Sequence, residues 1–355
     1  MAYAILSDSH FHNWNAYAET NGDGVNTRLI DILDTFELCA KNLASCLASC
    51  VGSTNIYHGG DLFHERGKIP PSVINYVNER LQIIHEKYGV YFYFMPGNHD
   101  MEFNDSLTLG HATKALACDW VTVIDDTTEF EDDKVIMVPW YDKLDDLREH
   151  CEGFSDREDW DLIIHAPVNG VISGIPDHGL EAQEVAGWGF GRVFVGHYHS
   201  HKTFCDGKVV SIGATTHQTW SDVGTLAGFI IVDGDNVTHC ESDAPKFIDY
   251  EEFESMPERK AQRHIEGNYV RVQLGECSEE EIRTIRDGLA GLGAKAIKIV
   301  ATPADKSVQR SDTAVESGQS LEQSITSYID ASEIAEKEAV KAEVMEIIEN
   351  LEEAA

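Results

Sequence analysis

Pro96-Gly97-Asn98-His99-Asp100 closes the apolar run Val-Tyr-Phe-Tyr-Phe-Met at 90–95, and Gly59-Gly60-Asp61-Leu62-Phe63-His64 closes the run at 55–57 in the same way. A short continuous apolar run reads as a strand buried on both faces. Glycine and polar residues bunched at its end read as a loop at the carboxyl edge of a sheet, where α/β proteins gather their ligands. Residues 28–50 and 72–88 carry helical patterns, so the opening alternates strand and helix as a layered α/β domain does. Further runs at 3–6, 135–138, 162–164, 193–195 and 209–212 extend the strand series. Their closer spacing predicts more hairpin character in the second half.

The other strand ends carry the same kind of residue. Asp8 and His10 follow the first run, His165 follows 162–164, and Gly196-His197-Tyr198-His199 follows 193–195. Positions i and i+2 of an extended backbone project to one side, and a hard carboxylate oxygen beside an imidazole suits a divalent first-row metal. An Asp-x-His pair by itself is common by chance. Its weight comes from the other strand ends, and from glycines that leave room for sharp turns and for a phosphate to approach.

In content and order this series, Asp-x-His, Gly-Asp, Gly-Asn-His-Asp, an isolated His and Gly-His-x-His, resembles the calcineurin-like metallophosphoesterase family over roughly the first 230 residues. The resemblance implies a four-layer sandwich of two mixed sheets flanked by helices, and two divalent ions, manganese foremost with magnesium as the other candidate. Asp8, His10, Asp61 and His199 would hold one ion; Asn98, His165 and His197, with Asp61 bridging, would hold the other. His99 would contact the scissile phosphate and assist the leaving group, with Asp100 orienting it. Gly60-Asp61-Leu62-Phe63-His64, with Pro70 soon after, looks like the signature of the SbcD or meiotic recombination eleven nucleases, in which the matching histidine, here His64, also serves DNA cleavage. The compact size and short tail look most like the phage recombination endonuclease subunits. The implied partners are DNA and an SbcC-like coiled-coil ATPase, with homodimerisation through the phosphoesterase domain as a family tendency. The chain departs from the pattern after His10, where the polar insertion 11–26 replaces a short loop and offers His12 as an extra imidazole. His12, His58, His178, His201 and His217 otherwise read as loop or core histidines, because the ligand set is complete without them.

Outward from this core the expected organisation is a nuclease domain at 1–245, an α/β cap at 246–302, a polar connector at 303–318 and helices at 319–355. In the cap, 269–274 and 295–301 read as strands, and Ser278 with Glu281 forms a capping box between them. Leu321, Ile325, Tyr328 and Ile329, then Val340, Val344, Ile347, Ile348 and Leu351, fall at helical spacing and give the tail two apolar faces, the expected handle for the ATPase. Lys and Arg total 27 against 62 Asp and Glu, a formal charge of -35, which opposes unguided approach to a polyanion. The 8 cysteines form no C-x-x-C pair and read as reduced thiols. The N-terminus lacks the pattern of a signal peptide and no apolar run suffices for a membrane span, so a cytoplasmic protein is expected, in the host cytoplasm if phage-encoded. Two rival functions remain at this level: a phosphodiesterase or phosphatase acting on a small phosphoester or a protein, and a non-catalytic scaffold for the ATPase.

Overall fold

The computed structural model describes residues 2–48, 52–103, 110–172, 174, 178–252 and 258–303, with 326, 329, 330, 337, 338, 340, 341 and 344 as isolated positions. The expected tail helices, and the connector beyond residue 303, otherwise lie outside the described residues. Residues 1–273 and 280–300 form one compact unit, and 274–279 with 301–355 form a second.

Strand β1 (Ala2–Leu6) leads through 7–26 into α1 (Thr27–Leu47), followed by β2 (Asn55–His58), α2 (Pro71–Tyr88), β3 (Tyr91–Phe94) and β4 (Val121–Val123). Helix α1 begins where the Asn26 side chain accepts from the amides of Arg28 and Leu29 at 3.1 and 3.3 Å, which satisfies donors that no helical carbonyl can reach. Its Leu29, Ile32, Leu33, Phe36, Ala40 and Leu43 recur at helical spacing and are all buried. Helix α2 opens on Pro71 and stops at Gly89, whose φ of 68° glycine adopts without strain. The chain continues with β5 (Thr128–Phe130), β6 (Val135–Val138), α3 (Leu144–Glu152), β7 (Asp161–His165), α4 (Ala182–Ala186), β8 (Arg192–Gly196), β9 (Lys202–Phe204), β10 (Val209–Ser211), β11 (Gly228–Asp233) and β12 (Asn236–Glu241). The expected strand-helix-strand region is present as β13 (Phe247–Asp249), α5 (Glu258–Ile265), β14 (Tyr269–Cys277), α6 (Glu279–Gly291) and β15 (Ala296–Pro303), with sheet order β13-β14-β15.

Two six-stranded mixed sheets run in the orders β12-β11-β1-β2-β3-β4 and β5-β6-β7-β8-β10-β9. Strands β1 to β4 are mutually parallel, as are β6, β7, β8 and β10, while β11–β12, β5–β6 and β9–β10 are antiparallel pairs toward the edges. Successive strand side chains point to opposite faces, and the burial follows that period. Tyr3, Ile5, Ile230 and Val232 of the first sheet meet Val135, Met137, Ile163, Phe194 and Val210 of the second in one core. The alternate residues Ala4, Leu6, Ile56, Phe92 and Phe94 pack on α1 and α2. Ile136, Val138, Leu162, Ile164, Val193 and Val195 pack with Leu147 of α3 and Val185 of α4. The result is a helix-sheet-sheet-helix sandwich. No helix among the described residues is long and apolar enough to cross a membrane, and each described cysteine is a free thiol.

His58, the last residue of β2, is fully buried, stacks on Phe36 and meets the Ser9 hydroxyl through Nε2 at 2.7 Å. Burial, with the nearby His165 charge, depresses its imidazole to about 3. In an unfolded chain the ring titrates near 6.5. Its neutral form therefore stabilises the fold fully above about pH 6.5, and that contribution is lost at ~1.4 kcal/mol per pH unit as the pH falls toward 3. Replacing His58 by Gln removes the linkage: the difference in urea-unfolding free energy between wild type and variant is expected to narrow by about 2.7 kcal/mol from pH 7.5 to pH 4.5. A difference that stays constant would contradict the assignment.

Candidate metal centre

The loops beyond β1 and β2 run side by side. Asp8 N donates to Gly60 O at 3.0 Å, His10 N to Asp61 O at 3.1 Å and Phe11 N to Leu62 O at 2.6 Å. This pairing holds Asp8, His10 and Asp61 at φ of 50°, 48° and 57°, and His197, just past β8, sits at 107°. Non-glycine residues in such regions carry a strain of about 1–3 kcal/mol each and persist where their surroundings over-determine them. The glycines between them permit the close approach. A Cβ on Gly97 would run into the Asp61 Oδ1 and backbone nitrogen and lie 2.8 Å from His165 Cε1, and one on Gly196 would strike Ser7 Oγ and Gly59 O. Gly97→Ala is therefore expected to displace Asp61 or His165 and to lower metal affinity and any hydrolysis on the order of 100-fold, as ångström-scale misplacement does. Metal titration by calorimetry checks this.

All of the predicted ligands converge. Asp8, His10 and His199 present ligand atoms within 4.8 Å of one another, and so do Asp61, His165 and His197. Asp61 lies between the two groups, its Oδ2 being 3.8 Å from His10 Nε2 and 3.4 Å from His165 Nε2. The Asn98 amide oxygen is 3.1 Å from His165 Nε2 and 2.9 Å from His197 Nδ1. His64 and His99 stand beside them, with His10, His64 and His99 forming a third group within the same limit. Asp8, His10, Asp61 and Asn98 come from loops of the first sheet; His165, His197 and His199 come from the second.

Neighbours fix the rings. His165 Nδ1 donates to Gly59 O at 2.7 Å, which leaves Nε2 facing Asn98 and Asp61. His99 Nδ1 donates to His64 O at 2.9 Å, which leaves Nε2 as the ring nitrogen outside that hydrogen bond. His199 Nδ1 meets Asp222 Oδ1 at 3.2 Å, while the other Asp222 oxygen accepts from the amides of Gln218 and Thr219 at 2.7 and 2.8 Å. Asp8 accepts from Ser7 Oγ at 2.6 Å and from the His197 amide, and its carbonyl accepts from Gln218 Nε2.

The electrostatics of the pocket favour added positive charge. Burial pushes the Asp61 carboxyl up, but His165 and then His10 and His99 outweigh it and hold the group ionised. Burial likewise opposes charge on His165, yet Asp61 lifts that imidazole to about 9. Burial pushes the Asp8 carboxyl up, depresses His10 well below the usual range and, with the His165 charge, takes His197 to about 3. The buried carboxylates thus favour a proton on His165 and, together with Asp222, on His199, positive charge that a divalent cation would supply instead by displacing those protons. His10 Nε2 is buried without a hydrogen-bond partner, which a native interior tolerates poorly. A cation would satisfy it. The oxygen and imidazole donor set and this orphaned nitrogen both fit a metal.

Asp100 differs from its expected role. Its oxygens accept from the amides of Gly97, Leu62 and Phe63 at 2.8, 3.1 and 2.8 Å, and the His99 ring is held by the His64 carbonyl instead. It therefore clamps the 59–64 loop to the 96–100 loop, because in this turn its carboxylate points back at three amides. Burial and the Asp61 charge lift it to about 7 despite those donors. Sequence reasoning also left out Asp222, Gln218, Ser7, and Trp140, which stacks on His197 at a centroid distance of 6.0 Å. Each sits beside a ligand in space and lacks a motif of its own; Trp140 alone had a signal, as an aromatic residue just past the run 135–138. His12 lies beside the centre, its ring 5.1 Å from that of His64. His58 and His217 are buried and His178 is exposed, in line with their structural reading. Compared with known proteins, the chain matches no family profile and no curated sequence.

Proposed function

We propose that this chain is a two-metal phosphodiesterase of the calcineurin-like metallophosphoesterase family, SbcD type, with DNA as its substrate. The observation that carries the reading is the convergence of Asp8, His10, Asp61, Asn98, His165, His197 and His199 from two sheet edges into two ligand groups around one carboxylate, with His99 beside them. One divalent ion would be held by Asp8, His10, Asp61 and His199, and a second by Asp61, Asn98, His165 and His197, with manganese expected and magnesium the other candidate. Such a pair, when bound, neutralises a phosphodiester and acidifies a water molecule. The chain itself contributes orientation. Asp222 and Gly59 O lock the His199 and His165 rings, and the His64 carbonyl engages His99 Nδ1, leaving Nε2 as the atom that would give a proton to the leaving oxygen.

DNA as the substrate rests on the resemblance that includes His64, and on one local pair of cations in a chain of net charge -35, of which Arg271 is itself paired to Asp249. Arg271 and Lys298 lie 5.0 and 5.6 Å from the Trp220 ring, on the turn that also carries Asp222. Cations set against a half-buried aromatic suit a phosphate backbone and its bases. DNA binding by the lone chain is expected to be weak at physiological ionic strength and weaker with added salt, and to tighten when the ATPase is added. Tight, salt-insensitive binding would contradict this. The deciding experiment is hydrolysis of end-labelled duplex and single-stranded DNA with manganese and then magnesium, alongside bis-para-nitrophenyl phosphate. Cleavage of the small diester without DNA would move the substrate to a smaller phosphoester. Hydrolysis of neither, with metal bound, would overturn the enzymatic reading and leave the scaffold.

A further inference from the structure

The insertion 11–26 is tied down along its length. Phe11 bridges to Phe63 beside the pairing of the metal-binding loops, and Asn26, the cap of α1, donates from Nδ2 to Trp14 O at 2.8 Å. Between these anchors the Trp14 side chain is 9% exposed. Its ring centroid is 4.6 Å from that of His64, and the Arg28 guanidinium carbon lies 4.2 Å from the same indole. Arg28 cannot drift, because it donates to the carbonyls of Ala16, His217 and Gln218 at 3.2, 3.2 and 2.7 Å. His64, in contrast, has little else to hold it. Among the described residues its ring makes one long contact, 3.4 Å from Nδ1 to His10 Nδ1, and otherwise touches rings: His10, His12, His99 and Trp14. Trp14 is the largest of these, and the Arg28 cation rests against its ring.

We propose that Trp14, held by Arg28, is the positioning residue that sets the orientation of the His64 imidazole against the metal-binding histidines. The proposal rests on the reading that His64 takes part in phosphodiester cleavage. A ring held by packing keeps its rotamer as long as its neighbours keep theirs, so Trp14 acts through His64 and not on substrate. The insertion then has a specific use in this chain, as a rigid wall on one side of the centre.

The test is a double-mutant cycle. Trp14→Leu and Trp14→Phe are made alone and together with His64→Asn, and kcat and KM for bis-para-nitrophenyl phosphate are measured with manganese. Trp14→Leu is expected to lower kcat on the order of 10-fold, as loss of orientation does, with KM and metal content unchanged, and Trp14→Phe to lose less. In the His64→Asn background both changes should add nothing further. Wild-type kcat in Trp14→Leu, or losses that multiply with that of His64→Asn, would overturn the proposal. Should Trp14→Leu fail to fold, the same non-additivity is required of Trp14→Phe. A second readout needs no turnover: in the metal-free protein labelled at histidine, the nuclear Overhauser contacts of the His64 ring with the His10 and His99 rings should change when Trp14 is replaced by Leu, which loss of the indole ring current alone does not do, and unchanged contacts would also overturn it. If the wild-type protein cleaves no phosphodiester, the proposed function fails while the contact measurement still decides the positioning.

Discussion

Replacing Asp61 by alanine is expected to reduce phosphodiester hydrolysis to background and to strip bound metal from the protein. Both ligand groups contain or adjoin this one carboxylate, whose Oδ2 stands 3.8 Å from His10 Nε2 and 3.4 Å from His165 Nε2. Without it two cations would lose the anion they share, and Asp8 alone, among neutral donors, would have to offset their mutual repulsion in a buried site. Loss of the fold is not the expected readout. His165 owes its elevated pKa to Asp61, so in the variant the imidazole sheds its proton and avoids a buried unpaired charge. Metal content by elemental analysis and turnover on a small diester measure the effect. A variant with two bound ions and near-normal turnover would sink the assignment.

His99→Ala should separate binding from chemistry. The His99 amide donates to Asp61 Oδ1 at 2.8 Å, and that contact survives truncation of the side chain, so the shared carboxylate keeps its orientation and metal content should be unchanged. What disappears is the imidazole whose Nδ1 the His64 carbonyl holds. Turnover is expected to fall 100- to 10,000-fold, the range of general acid-base residues. The loss should be smaller for a diester with a good leaving group such as para-nitrophenolate, which needs little protonation. Equal loss on both substrates, or loss of metal, would make His99 a ligand or a structural group instead.

Most of the parallel strands and the candidate ligand set are legible because an apolar run marks each strand and a polar donor follows several of them directly, beside glycine at Asp61, Asn98 and His197. The edge strands are not. β4, β5 and β9 are three residues long, too short for any periodicity, and are strands only because a longer neighbour offers them a ladder. β11 is a different case. Phe229 to Val232 is as apolar as the runs of the central strands and ends in an Asp-Gly turn, so its strand signal is present in the sequence. The orienting groups, Asp222 for His199 and the His64 carbonyl for His99, could not be read at all, since each depends on a turn arriving from elsewhere in the chain. The φ values of Asp8, His10 and Asp61 belong in the same class. Asp100 was misassigned because chain adjacency to His99 suggested a partner, whereas the tight turn sends its carboxylate to backbone amides.

Because Asp8, His10, Asp61 and Asn98 hang from one sheet and His165, His197 and His199 from the other, an ion held by both sets would act as a rivet through the carboxyl edge of the sandwich. Anything that binds the assembled pair and not the unfolded chain raises the unfolding free energy by mass action, by about 2.7 kcal/mol at a hundredfold excess over its dissociation constant. For a protein of this size that is several degrees of melting temperature, so a chelator would be felt as heat sensitivity before any substrate is added. Lifetime in a proteolytic environment would then track the free concentration of divalent cation, and scarcity of the ion would thin out the protein itself as well as silence it.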